Sequence, residues 1–276
     1  MWIYILLIII AVILILYLLA IMPKLHHNPD NIKFKGWLYA HRGLHNNRSN
    51  APENSLKAFK LAIEGGYGIE LDVQLTKDLV PVILHDYKLS RACHVDKKVE
   101  DLTYEEIKQY PLFKTKEKIP TFQEALAIID GKVPLIIELK IPHNPDKLCE
   151  IVSLLLKDYK GVYCIESFNP YGLIWYKKHF PKVVRGQLAT DFVKEDIEGD
   201  KFQFFLLKNL LLNFMTKPDF IAYQHVYRKV LSFTICRKLF RVRAVAWTIQ
   251  SPIELNDNKK YFELFIFDSF IPKEHK

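Results

Sequence analysis

Cysteine is scarce in this sequence. The four in 276 residues, Cys93, Cys149, Cys164 and Cys236, form no close pair and show no zinc-type spacing. That pattern argues against a thiolate metal site and for reduced, mostly buried thiols. Blocks of like charge are also missing: the formal net charge is +8, yet Lys and Arg are spread along the chain and no aromatic-basic recognition motif interleaves them. Nucleic acid is thereby set aside as a partner, and attraction to anionic lipid headgroups accounts better for the basic balance. Nothing in the sequence implies a protein partner. The third absence is charge near the start, since no residue from Trp2 to Met22 is charged and no Lys or Arg precedes that run.

About twenty consecutive apolar residues are enough to cross a bilayer. A cleaved signal peptide, the competing reading, would show a basic leading region, a shorter apolar core and a small-residue cleavage site. Residues 1–22 are therefore expected to be an uncleaved transmembrane anchor. Residues 23–36, with Pro23 and Pro29 among polar neighbours, are expected to be a juxtamembrane tether, and residues 37–276 one large domain. Lys24, Lys33, Lys35 and Arg42 follow the anchor, whereas only the α-amino group precedes it. This asymmetry predicts a single-pass membrane protein with its catalytic domain in the cytoplasm.

Strand-like runs recur at 37–41, 68–73, 134–139, 162–166, 183–187, 219–223, 243–249 and 263–268, separated by helical segments. Helical spacing is clearest at 55–64, closed by Gly65-Gly66, and at 121–129, followed by Gly131. Eight alternating units predict an α/β fold, a (β/α)₈ TIM barrel, which typically needs ~250 residues. Val80 to Leu84 follows Val73 too closely for a parallel crossover and must return antiparallel. A turn near residue 78 predicts a β-hairpin excursion after the second strand, with His85 opposite Asp72.

Reactive side chains collect where these strands end. Glu70 and Asp72 are two apart and share one face, and Glu138 closes the run Pro134 to Ile137. Three converging carboxylates suit one hard divalent cation, Mg²⁺ or Ca²⁺. The plainer alternative pairs Glu138 with Lys140 and leaves Glu70 and Asp72 capping backbone. His41 and His85 end the first strand and the hairpin, each beside a residue able to hold phosphate or orient a ring, Arg42 and Asp86. One histidine as base and the other as acid, with the Arg42 fork on two phosphate oxygens, is what phosphodiester chemistry requires. Arg42 in a rim salt bridge is the plainer alternative.

His41-Arg42-Gly43, Pro52-Glu53-Asn54-Ser55, Glu70-Leu71-Asp72-Val73, Thr76-Lys77-Asp78, His85-Asp86 and Glu138-Leu139-Lys140, in that order and spacing, resemble the glycerophosphodiester phosphodiesterase family. Ser167-Phe168, Gly186-Gln187-Leu188 and Ala246-Trp247-Thr248 resemble its later strand ends. The resemblance implies a barrel that hydrolyses glycerophosphodiesters to glycerol 3-phosphate and an alcohol. It implies His41 and His85 as general acid and base, Glu70, Asp72 and Glu138 as metal ligands, and Arg42 as a phosphate contact. Glu53, Asn54 and Lys140 match site positions too. Trp247, at a strand end, is expected either to wall the glycerol or to sit in the core.

Three departures stand out: Leu79 replaces a hairpin glycine, Ile249-Gln250 replaces Val-Asn, and Phe267-Asp268 replaces Thr-Asp. None touches the acid, base or ligands, so activity is expected to survive while substrate preference drifts. Phe202 to Met215 is unusually apolar and too short to span a membrane. It reads as a buried outer helix, or as an interfacial helix beside the mouth that admits lysophospholipids, making the lipid membrane a partner. Two further alternatives are a catalytically silent, membrane-tethered phosphoester-binding barrel and a lyase that stops at a cyclic phosphate.

Overall fold

The computed structural model describes residues 1–25 and 29–273. Eight parallel strands close a barrel: β1 (Leu38–Ala40), β2 (Gly68–Leu75), β4 (Leu135–Leu139), β5 (Tyr163–Ser167), β6 (Arg185–Ala189), β7 (Phe220–Gln224), β8 (Arg243–Ile249) and β9 (Leu264–Phe267). Closure occurs at β1, where Tyr39 pairs with Gly68 of β2 on one side and Ile266 of β9 on the other. The ninth strand, β3 (Pro81–Ile83), lies outside the barrel, antiparallel to β2.

Local chemistry sets the helix ends. Ser55 accepts the Ala58 amide at the start of helix Leu56–Glu64, and Thr121 and Glu124 form a reciprocal capping box on helix Phe122–Ile129. Strand alternation then divides the core. Ile69, Leu71, Val73, Leu135 and Ile137 face the helices, while Tyr39, Ile136, Cys164, Val184, Phe220 and Val245 fill the barrel. The same alternation turns Glu70, Asp72 and Glu138 inward, above that apolar filling.

The hairpin differs from expectation by one residue. Val73 pairs with Ile83 and Leu75 with Pro81, so Leu84, not His85, stands opposite Asp72, and its amide donates to the Asp72 carbonyl at 3.2 Å. A three-residue loop, Lys77 to Leu79, closed by the Thr76 amide donating to the Val80 carbonyl, sets that register. Leu79 takes φ +63°, so the turn keeps a left-handed position without its glycine. Residues beyond β3 bury a separate small core around Leu84, Leu89, Val99, Leu112 and Ile119.

Helix Trp2–Ile21 is long and apolar enough to cross a membrane, and residues 1–16 are exposed. The segment expected to be a tether is packed where it is described: Pro23 is buried, Lys24 pairs with Asp219 at 2.9 Å, and Phe34 caps the barrel base. An apolar barrel floor needs such a cover. Phe202 to Met215 is not one helix; Lys201–Lys208 ends, Leu210 turns at φ +57°, and Asn213–Thr216 forms a separate turn.

Candidate active site

The mouth of the barrel, at the C-terminal ends of its strands, gathers the charged residues. Asp72 and Glu138 are register partners on β2 and β4, and Glu70 lies two residues before Asp72. One ligand oxygen from each of Glu70, Asp72 and Glu138 falls within 4.8 Å of the others. All three side chains are buried. Burial and repulsion from Asp72, Glu138 and Glu166 raise Glu70 well above the usual carboxylate range, and burial raises Glu138 against the pull of Lys140. Asp72 goes the other way: burial is outweighed by His85, Arg42, Lys140 and a 2.8 Å hydrogen bond from Asn54 Nδ2. Its Oδ1 nevertheless has no hydrogen-bond partner. An unpartnered buried oxygen amid mutually repelling acids fits a hard cation, and the residues present suit that group.

The β1 end supplies His41 and Arg42. His41 Nε2 lies 4.0 Å from Glu70 Oε2, while Nδ1 is 3.1 Å from Asp268 Oδ2 at the end of β9. Burial and the neighbouring Arg42 push His41 down to about 4, against the opposing pull of Asp268. Its ring is therefore neutral at physiological pH, with Nδ1–H donating to Asp268 and Nε2 left as an acceptor. Arg42 sits at φ +54°, and its amide donates to Glu70 Oε2 at 2.9 Å. Glu53 accepts from Arg42 Nη1 at 2.7 Å, and Asp72 lies 3.4 Å from its Nε. Gly43 follows at φ +81°, where a Cβ would stand 2.9 Å from Ala58, so the tight turn after His41 needs glycine.

His85 follows β3, with Nδ1 2.5 Å from Asp86 Oδ1. It reaches the neighbourhood of both Asp72 and Glu138 despite the shifted register, because it belongs to the loop after the strand and not to the ladder. Lys140 Nζ donates to Glu138 at 2.8 Å and lies 3.8 Å from Asp72. Those carboxylates outweigh burial and keep it charged. The Glu138–Lys140 pair and the carboxylate cluster thus coexist. Trp247 donates from Nε1 to the Ala222 carbonyl at 3.1 Å and meets the Phe168 ring edge-on at 5.6 Å.

Three participants escaped sequence reasoning. Asp268 was legible only as the aspartate kept beside the Phe267 departure in the last strand. Glu166 is the register partner of Glu138, buried, with Oε2 unpartnered, and burial and Glu138 raise it well above the usual range. Alternation along β5 was the signal available for it. Arg91 donates to both Glu53 oxygens, at 2.7 and 2.8 Å, and to Asp86 at 2.6 Å.

A sequence model described as the Glycerophosphoryl diester phosphodiesterase family matches residues 41–268. The chain belongs to this family. Among proteins similar to this chain, a glycerophosphodiester phosphodiesterase of Caldanaerobacter subterraneus is 38% identical over 167 residues, covering 56% of this chain and 67% of its own. An uncharacterized protein of Mycoplasma genitalium is 32% identical over 234 residues, 71% of this chain and 95% of its own. The barrel is shared with an Oleispira antarctica phosphodiesterase solved with its product sn-glycerol-3-phosphate. That match has TM-score 0.69 and 24% identity, and covers 86% of this chain and 94% of that one.

Proposed function

We propose that this phosphodiesterase hydrolyses glycerophosphodiesters to glycerol 3-phosphate and an alcohol, using one Mg²⁺ or Ca²⁺ and two histidines. The observation that carries the reading is the convergence of Glu70, Asp72 and Glu138 within 4.8 Å, beside a neutral His41. These three would hold the cation, which when bound would polarise the phosphoryl oxygens and offset their charge. Arg42, its guanidinium fixed by Glu53, and Lys140 would orient the phosphate, with Glu53 and Asn54 holding Arg42 and Asp72 in place.

His41 Nε2 takes the proton of the attacking oxygen, and His85, steadied by Asp86, gives one to the departing alcohol. The attacker is water, or the glycerol 2-hydroxyl, in which case water opens the cyclic phosphate afterwards. Helix Trp2–Ile21 serves as membrane anchor, and the positive charge that follows it favours a cytoplasmic barrel.

The test is turnover of glycerophosphocholine with and without EDTA, with His41→Ala alongside. Activity abolished by the chelator, restored by Mg²⁺ or Ca²⁺, and absent in His41→Ala is expected; full activity in His41→Ala overturns the mechanism. Phosphorus NMR of the product separates a hydrolase from a lyase that stops at the cyclic phosphate. A reporter fused to the C-terminus reads the topology.

A further inference from the structure

Two features outside the catalytic cluster meet in one sector of the barrel. The first is the course of helix Trp2–Ile21. Helix Leu231–Lys238 leaves β7 and leads to β8, so it runs from mouth to base, with Ser232 in its first turn and Cys236 one turn nearer the base. Tyr17 lies near both Ser232 and Cys236, whereas the Ile21 carbonyl accepts from Cys236 Sγ at 3.2 Å and from Asn213 Nδ2 at 2.9 Å. The last turn of the N-terminal helix therefore descends alongside helix Leu231–Lys238 in the same sense. Past Ile21 the chain passes beneath the barrel, where the Lys24 amide donates to the Pro218 carbonyl just before β7.

Followed backwards from Tyr17, residues 2–16 leave at the mouth end, all exposed. At ~1.5 Å per residue they reach about 22 Å past the point of contact, less than the ~30 Å thickness of a bilayer core. Immersing them draws this sector of the mouth to the lipid surface and sets Tyr17 at the interface, where aromatic side chains are favoured.

The second feature is apolar surface flanking that exit. Val193 follows β6, Phe202 and Phe205 lie on the helix between β6 and β7, and Val226 and Leu231 follow β7; they are 53–68% exposed. Behind them runs a row of rings. Phe204 stacks on Phe192 at 4.9 Å, Phe192 meets Phe168 at 5.7 Å, and Phe168 meets Trp247 at 5.6 Å. The row leads from the exposed loops to the barrel mouth. Glu195, Asp196, Glu198 and Asp200 on the β6 loop are matched by Lys194, Lys201, Arg228 and Lys229 around it, so net charge does not draw this surface to lipid and the apolar contact must do most of the binding.

We propose that the mouth faces the bilayer that holds the N-terminal helix, and that the substrate is a single-chain glycerophospholipid, its acyl chain lying along Phe204, Phe192, Phe168 and Trp247. This rests on the phosphodiesterase reading above and narrows its substrate class. In the reaction a water oxygen bonds to phosphorus and the phosphorus–oxygen bond to the head group breaks. The head-group oxygen takes the proton, leaving an acylated glycerol 3-phosphate.

The experiment uses the full chain in phosphatidylcholine proteoliposomes. The four native cysteines are buried, so Phe202→Cys and Phe180→Cys can each carry a polarity-sensitive fluorophore. Phe180 is exposed at the base, just before β6. A blue shift and quenching by brominated lipid at position 202 alone is expected; equal signals, or the reverse, overturn the orientation. In parallel, lysophosphatidylcholine and glycerophosphocholine are offered to the unaltered protein and to a Phe202→Asp, Phe205→Asp double variant. A tenfold or greater loss confined to the acylated substrate supports the proposal. Turnover of glycerophosphocholine alone, or equal loss on both substrates, overturns it. Failure of the unaltered protein on both substrates overturns instead the phosphodiesterase reading beneath it.

Discussion

Asp268 Oδ2 accepts a hydrogen bond from His41 Nδ1 at 3.1 Å, across the seam where the last strand of the barrel meets the first. The contact fixes which ring nitrogen carries the proton. In Asp268→Asn the amide can donate in its place, and the tautomer with the proton on Nε2, useless as a base, becomes available. We expect kcat to fall ~10²–10⁴-fold, the range for a mis-set catalytic tautomer, with little change in KM. Steady-state kinetics on glycerophosphocholine decide it; an unchanged kcat would remove Asp268 from the mechanism.

The carboxylate cluster makes stability depend on pH in a direction that can be stated. Glu70 and Glu166 are held well above 4.5 by burial and then by their acidic neighbours, so the fold binds protons there that the unfolded chain has released. Without a cation, stability is lost as pH climbs from 4.5 toward those raised values. His41, lowered to about 4, adds stability as pH rises, but only between about 4 and its ordinary 6.5. Once His41 no longer contributes, the melting temperature in EDTA should therefore fall as pH rises further, and the gain from Mg²⁺ or Ca²⁺ should widen. A flat curve in EDTA would contradict the coupling.

Arg91 ties the two halves of the site together by gripping Glu53, which holds Arg42, and Asp86, which steadies His85. Arg91→Ala should lower kcat on the order of tenfold, as loss of an orienting partner does. Arg91→Lys should recover only part of it, because an ammonium cannot engage Glu53 and Asp86 as a fork. Full recovery by lysine would show that charge alone matters.

Leu79 holds a left-handed backbone at a steric cost of about 1 kcal/mol. Leu79→Gly relieves it, less the freedom that glycine adds to the unfolded chain. A rise in melting temperature of ~2 °C is expected by thermal denaturation. A fall would show that the half-exposed leucine side chain contributes packing that outweighs the strain.

Much of the barrel was legible because strand ends in this fold leave local marks. The expected run 134–139 is observed as Leu135–Leu139 and 243–249 as Arg243–Ile249. Alternation alone put Glu70 and Asp72 on one face. What escaped is set by contacts distant along the chain. His41 meets Asp268 only because the sheet closes, and Arg91 reaches Glu53 from a segment that folds around its own small core. The hairpin register turned on one residue of turn geometry, which counting from the turn centre does not resolve. The path of the N-terminal helix depends on Asn213 and Cys236, which lie 192 and 215 residues along the chain from the Ile21 carbonyl they hold.

The connection between that helix and the barrel also has a mechanical side. Asn213 grips the Ile21 carbonyl, Lys217 donates to the Met22 carbonyl, and Lys24 is paired with Asp219. Such a joint is a clamp, not a hinge. In a lipid sheet it would deliver the catalytic mouth at a fixed height and heading, so that for the lipid substrate proposed above the search would run over two dimensions and the encounter rate would follow surface density, not bulk concentration.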